Sequence, residues 1–403
     1  MNEPSHRRTT LLVASAAHAL HDGFSASLYL LLPVWQAEFT LTLTQVGMLR
    51  AAYTAAMASL QIPAGVLAER WGESLLLAAG TVIVGIAYLI LGTAASGFLL
   101  LALCLFLVGC GSSTQHPLAS SLVARTYEGS SIRAAIGIYN FSGDVGKLIF
   151  PAVTALLLTL MHWHWVVVGY AGTALLVAPV FLVLLVALRH GQTHISAATH
   201  GQAVLARGGW GIRDRRAFQI LASIFVIDDA TRTAFLTFVP FLLTGKGASV
   251  DTLGIALTLV FAGGAAGKFL CGVLAERLGI IRTVVVTELV TGLGILLLLA
   301  LPLTLGLALL PIIGVALNGT SSVLYGNVAE LVTPERRARA FGLIYTLGSA
   351  AAVAAPVLYG IMSDRVGVSL TLATIGIMVL VTVPLARWLR RTSPPTEPVS
   401  SST

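Results

Sequence analysis

The sequence predicts an all-α membrane protein, with twelve transmembrane helices in two pseudo-symmetric six-helix bundles, and three observations carry that expectation. Of 403 residues, 56% are hydrophobic and 10% charged, with a mean hydropathy of +0.89, whereas a soluble globule typically carries about 25% charged residues. Residues 74–124, 148–188 and 289–329 contain no Asp, Glu, Lys or Arg, and each has room for two spans of about 20 residues. Finally, Gly65-Val66-Leu67-Ala68-Glu69-Arg70-Trp71-Gly72 returns almost letter for letter as Gly272-Val273-Leu274-Ala275-Glu276-Arg277-Leu278-Gly279.

Extended outward, that 207-residue offset sets Asp22 on Asp229, Pro33 on Pro240, Gly47 on Gly254 and Gln61 on Lys268. It then slips to 205, where Gly137, Gly143 and Pro151 meet Gly342, Gly348 and Pro356. A period of half the chain means two like bundles, and in membrane carriers the site lies at their seam. The expected spans are 11–34, 46–68, 74–95, 98–124, 134–160 and 163–188, then 217–243, 250–275, 281–301, 304–331, 339–363 and 368–390. Residues 1–188 form the N-terminal bundle, 189–216 a cytoplasmic linker with five Arg and five Gly, 217–391 the C-terminal bundle, and 392–403 a Ser, Thr and Pro-rich tail expected to be disordered. A β-barrel needs alternating segments of about ten residues, which are lacking.

Of 24 Lys and Arg residues, 18 fall on the side shared by both termini, which predicts cytoplasmic termini in an inner (plasma) membrane. The net charge of +7 is thus a topology signal, and no nucleic-acid binding is read from it. Cys104, Cys110 and Cys271 lie inside spans without disulfide or metal-ligand spacing. The polar start leads into a long apolar run without a small-residue cleavage site, as a retained first helix does.

The first span places His18, His21 and Asp22 near the bilayer middle, His18 and Asp22 on one face. A central Asp costs about 2.5 to 3.5 kcal/mol, so it must face protein or water, either as a working group or as a pair that pins helices. Arg50 lies near the outer end of the second span, within snorkelling reach of the surface. In the repeated loop, Glu69 is set to meet a helix N-terminus or a basic partner. The fourth span breaks its small-residue run at His116-Pro117, where the proline frees a carbonyl and the histidine can meet a ligand or satisfy the kink.

Asp144 and Lys147 follow three apart in the fifth span, a spacing that suits either a working pair or self-neutralisation. His162 and His164 flank an outer turn with tryptophans, an interfacial pattern too sparse for a metal set. In the seventh span Asp228, Asp229 and Arg232 gather at mid-membrane, with Asp228 and Arg232 in the favourable i,i+4 order. Lys268 adds positive charge in the eighth, Glu288 in the ninth reads as a structural ion pair, and Tyr325 and Tyr345 offer neutral hydrogen bonds in the tenth and eleventh.

With Gly65, Arg70 and Gly72 in the loop, its second copy and twelve spans, the chain resembles the major facilitator superfamily, whose loop reads G-x-x-x-D-R-x-G. Glu69 stands where that family has Asp, and Glu73-Ser74 replaces its basic tail. His18-x-x-His21-Asp22 and Gly109-x-Gly-Ser-Ser with His116-Pro117 are similar to the fosmidomycin-resistance branch, which implies export of small anionic compounds. The fifth span's Phe150-Pro151 stands where drug antiporters of the superfamily carry Gly-Pro.

The expected function is a proton-coupled secondary transporter, an antiporter exporting a small phosphonate or carboxylate by alternating access. Uptake symport of an organic anion and export of apolar drugs are the alternatives. Arg50, His116, Lys147, Arg232, Lys268, Tyr325 and Tyr345 are the candidate substrate contacts, and His18, His21, Asp22, Asp144, Asp228 and Asp229 the proton-coupling groups. Gating falls to Gly65, Glu69, Arg70 and Gly72 with Gly272, Glu276, Arg277 and Gly279, which the resemblance implies latch the inner ends. No P-loop occurs, so an ion gradient is the expected energy source. No cofactor, metal, nucleic acid or enzymatic step is expected, and the partners are the anion, protons and lipid around a monomer.

Overall fold

The computed structural model describes residues 3–127, 131–189, 212–333 and 337–392. Most of the expected linker and the tail from 393 onward lie outside the described residues. The chain forms α1 (Glu3–Glu38), α2 (Leu43–Trp71), α3 (Glu73–Ala94), α4 (Phe98–Ser112), α5 (Gln115–Thr126), α6 (Ser131–Leu160) and α7 (Trp163–Arg189). The second half repeats it as α8 (Arg215–Gly245), α9 (Val250–Leu278), α10 (Ile280–Ala300), α11 (Leu303–Glu330), α12 (Arg337–Val366), α13 (Val368–Leu380) and α14 (Thr382–Thr392). α4 with α5, and α13 with α14, each make one span, which gives the twelve expected.

Ten spans are long and apolar enough to cross a membrane by composition alone. The two that fall short are α1 and α8, the helices carrying His18, His21, Asp22 and Asp228, Asp229, Arg232. Their polar groups turn inward, those of α1 onto neighbouring helices and the Asp229–Arg232 pair onto its own.

Local chemistry sets the ends. Thr42 and Gln45 form a reciprocal capping box at α2, and Asp214 accepts from the Arg216 and Ala217 amides to start α8. Gly72 and Gly279 both adopt φ of 84°, so each copy of the loop turns on a glycine in the left-handed region. The break in the fourth span falls at Ser113–Thr114, earlier than Pro117. Pro117 instead occupies the first turn of α5, where no intrahelical donor is needed. Helix α1 starts at Glu3, well before the expected residue 11, because propensity carries a helix past its apolar part.

The bundle has a loop end, bearing the repeated loops, and a far end, bearing the turns at 39–42 and 246–249. The halves meet through α2 against α12 and α6 against α9. Near the far end, Gly47 lies on the backbone of Pro356, Gly360 on Leu43 and Gly254 on Ala155. Asp364 of α12 seals this edge by accepting from the Leu43 amide at 2.7 Å, the Thr44 amide at 2.8 Å and the Thr44 hydroxyl at 2.5 Å. At the loop end of the same four helices, Gly65, Gly137, Gly272 and Gly342 face open space. The halves are therefore closed at the far end and parted at the loop end.

Candidate functional site

Asp22 is the hub of the N-terminal half. Gly143 of α6 makes room for it, since a Cβ there would stand 2.7 Å from Asp22 Oδ2 and from the His18 ring. Into that space reach Lys147 Nζ, 2.8 Å from Asp22 Oδ2, His18 Nε2 at 3.3 Å, and His116 Nε2 at 3.6 Å from Oδ1. His18 stacks on Tyr139 and its Nδ1 lies 2.8 Å from the Tyr139 carbonyl. A carbonyl only accepts, so Nδ1 carries the hydrogen and Nε2 is left facing Asp22.

From Lys147 the charges alternate across the seam. Its Nζ is 3.6 Å from Asp144 Oδ1, and both Asp144 oxygens accept from Lys268 Nζ at 2.7 Å. Asp144 and Lys147 are thus not the self-contained pair that their spacing allowed. Each holds a closer partner on another helix, and Lys268 brings the C-terminal half into the chain Asp22–Lys147–Asp144–Lys268.

The C-terminal counterpart is simpler. Arg232 pairs with Asp229 on its own helix, not with Asp228 as the i,i+4 order suggested. Gly348 of α12 makes room for the Asp229 carboxylate as Gly143 does for Asp22. Arg232 stands within electrostatic reach of Lys147 across the seam. Asp228 turns away from it and is buried inside the C-terminal bundle.

Arg50 does not snorkel. It is buried, its guanidinium 4.4 Å from the Tyr29 ring centre and 5.1 Å from that of Tyr53, with Nη1 3.5 Å from Ser25 Oγ and Nε unpartnered. The aromatic faces stabilise the cation where lipid would not. His21 is also reassigned by its contacts. Thr81 gives its hydrogen to Leu77, so it accepts from His21 Nε2 at 3.1 Å, and Ser112 Oγ lies 3.3 Å from Nδ1. A neutral imidazole satisfies both, which makes His21 a packing group.

Glu69, Arg70, Glu276 and Arg277 stand exposed and without ion-pair partners among the described residues. The acid that meets a helix start is Glu73, in the first turn of α3, which accepts from Ser121 Oγ at 2.6 Å and lies 3.6 Å from Arg125 Nε. Glu288 has no ion-pair partner among the described residues either, against the expected structural pair. Tyr345 is 54% exposed on α12, and the side chain of Tyr325 lies outside the described part.

His18, Asp22 and His116 offer three ligand atoms within 4.8 Å. The Lys147 ammonium already occupies the cation position beside Asp22, so a metal ion would have to displace it. Sequence reasoning missed Tyr139, Thr81, Glu73 and Asp364. Thr81, a hydroxyl deep in a charge-free span, was the one visible signal among them.

The model of the Major Facilitator Superfamily matches residues 14–227 and 220–403. A "Probable sulfoacetate transporter" of Cupriavidus necator is 25% identical over 366 residues, covering 83% of this chain and 82% of that protein. The "Fosmidomycin resistance protein" of Escherichia coli is 31% identical over 144 residues, 36% of this chain and only 35% of its own length. A crystal structure of a bacterial homolog of the human lysosomal transporter Spinster, in an inward-facing and occupied conformation, superposes with a TM-score of 0.78 at 17% identity. It covers 97% of this chain and 99% of that one, and at this identity the likeness concerns the fold.

Proposed function

This chain belongs to the Major Facilitator Superfamily, a family of multi-pass membrane transporters, and on that premise we propose that it is a proton-coupled carrier of a small organic anion. The observation that supports this reading best is the charge chain Asp22–Lys147–Asp144–Lys268, which crosses from one half to the other. The lysines, with Arg232 and the half-exposed His116 nearby, are the anchors for a carboxylate, sulfonate or phosphonate group.

Coupling follows from competition. An anion that takes Lys268 leaves Asp144 to share Lys147 with Asp22, and two desolvated carboxylates on one ammonium at mid-membrane bind a proton between them. Anion and proton then bind together, and by reciprocity each strengthens the other. Once both leave, Asp144 and Lys268 pair again across the seam, so the empty carrier returns neutralised. This sign favours co-transport. The relative named a probable sulfoacetate transporter agrees with an anionic cargo.

The second reading is proton-driven export, an antiporter, which the relative named for fosmidomycin resistance favours over its matched segment. It requires the opposite sign, with substrate expelling a proton from Asp22 or His18. In both readings the loop end is cytoplasmic by its basic residues, and the form described here opens inward.

Proteoliposomes carrying an internal pH dye distinguish the readings. Adding sulfoacetate, short dicarboxylates or fosmidomycin outside should acidify the lumen under co-transport, and Lys268→Gln should abolish the signal. Alkalinisation of the lumen on inward substrate flow, with acidification on outward flow, selects antiport. Transport confined to neutral or cationic compounds would overturn the anionic reading altogether.

A further inference from the structure

The two halves treat one repeated position differently. The 207-residue offset sets Asp228 on His21 and Glu288 on Thr81. In the N-terminal half that position is a complete neutral contact, His21 Nε2 to Thr81 Oγ1 at 3.1 Å, supported by Ser112. In the C-terminal half it holds two acids, and Gly319 stands where Ser112 stood. Asp228 is 2% exposed and Glu288 1%, and among the described residues Asp228 Oδ2 and both Glu288 oxygens have no hydrogen-bond partner.

Two carboxylates buried this deeply, set by the repeat where His21 and Thr81 meet in the other half and each within the other's field, cannot both stay ionised, because each is desolvated and each repels the other. The groups that face them are few. Arg232, engaged with Asp229, is the cation whose field reaches Asp228, and Asp228 is the charge whose field reaches Glu288. Thr382 faces Glu288 from α14, but it gives its hydrogen to Val379 at 2.5 Å and so can only accept. Its lone pairs, and those of Asp228, call for a hydrogen from Glu288.

We infer that Asp228 and Glu288 form a carboxylate–carboxylic acid pair that stores one proton inside the C-terminal bundle, resident on Glu288 and separate from the Asp22 cluster. Among the described residues the pair's link to the seam is Arg232, one turn from Asp228 on the same helix. When an anion in the seam draws Arg232 toward itself, Asp228 loses positive field and the stored proton is held more firmly. When Arg232 relaxes, the proton is freed. The pair exists whichever direction of transport holds, so it does not depend on the reading above.

The test is infrared spectroscopy of the lipid-reconstituted protein at neutral pH, reading the carboxylic acid C=O stretch. Wild type and Asp22→Asn should both show a buried acid band, Glu288→Gln should lose it, and Asp228→Asn should keep it at a shifted frequency. The double substitution Asp228→His with Glu288→Thr rebuilds the contact of the other half, and should fold and lack the band. A band that survives Glu288→Gln and the double variant, or that is missing from wild type, overturns the proposal. So does a sodium-dependent rise in Tm that Glu288→Gln removes, since the pair would then hold a metal cation. A band lost only in Asp22→Asn would return the proton to the seam.

Discussion

Asp22 and Asp229 occupy the same place in the two halves, each given room by a glycine of the corresponding fifth helix, yet they live in different company. Asp22 is shared among α1, α5 and α6 through His18, His116 and Lys147, whereas Asp229 pairs with Arg232 of its own helix. The first acid therefore ties helices together and changes partners when they move. The second fixes a guanidinium at a set height and leaves its outer face to the seam. Duplication has kept the backbone position of the carboxylate while its partner has become mobile in one half and built-in in the other.

The largest effect should come from neutralising the two acids separately. Asp22→Asn leaves Lys147 with Asp144 as its remaining partner, so the stability cost should lie at or below the low end of the about 3 to 5 kcal/mol for breaking a buried pair. Accumulation driven by a pH gradient should nonetheless vanish while substrate binding survives. Asp229→Asn should slow transport several-fold without uncoupling it. Parallel flux and binding measurements that find both variants equally uncoupled would erase the distinction.

A steric test is next in size. Gly143→Ala presses a methyl against both Asp22 and His18, and Gly348→Ala presses one against Asp229 alone. Overpacking of this kind costs about 1 to 3 kcal/mol, and the Gly143 variant should lie at the upper end because three helices are pinned there. Melting temperatures in detergent read the difference, and a larger loss for Gly348→Ala would mean that the C-terminal acid is the more constrained.

The smallest expected change is a population shift. Asp364→Asn weakens the cap that holds α12 on the start of α2, where a lost cap is worth about 0.5 to 2 kcal/mol. Glu69→Gln, if the exposed loops latch in the opposite form, should move the balance the other way by about 1 to 2 kcal/mol. Double electron–electron resonance across the far end should lengthen for the first variant and shorten for the second. Unchanged distances in both would mean that the seam is held by packing alone.

The duplicated plan was legible because a glycine turn and an apolar span leave unmistakable marks in a linear sequence. The cluster of His18, Asp22, Asp144, Lys147 and Lys268 was legible as a list, since ionisable groups in mid-membrane are conspicuous. Their pairing was not, because helical spacing reports only neighbours on one helix. Lys147 sits three residues from Asp144 yet lies closer to Asp22, and Lys268 finds Asp144 across 124 residues. Asp364 carried no signal in the sequence, since only the meeting of α12 with α2 turns it into a cap. Glu288 read as an ion pair by default, and the repeat that sets it with Asp228 was needed to see why no cation among the described residues answers it.

The far-end seam has one more consequence. Beside the Asp364 cap, it includes glycines set directly on backbone, Gly47 on Pro356 and Gly360 on Leu43, where the fit depends on the lack of a side chain. A single methyl added at any of these points wedges the halves apart and alters the side on which the carrier waits, with every binding residue untouched. Drift at a few small residues can thus reset the idling orientation of such a protein, and two descendants with identical sites can come to differ in how readily each loads from either side.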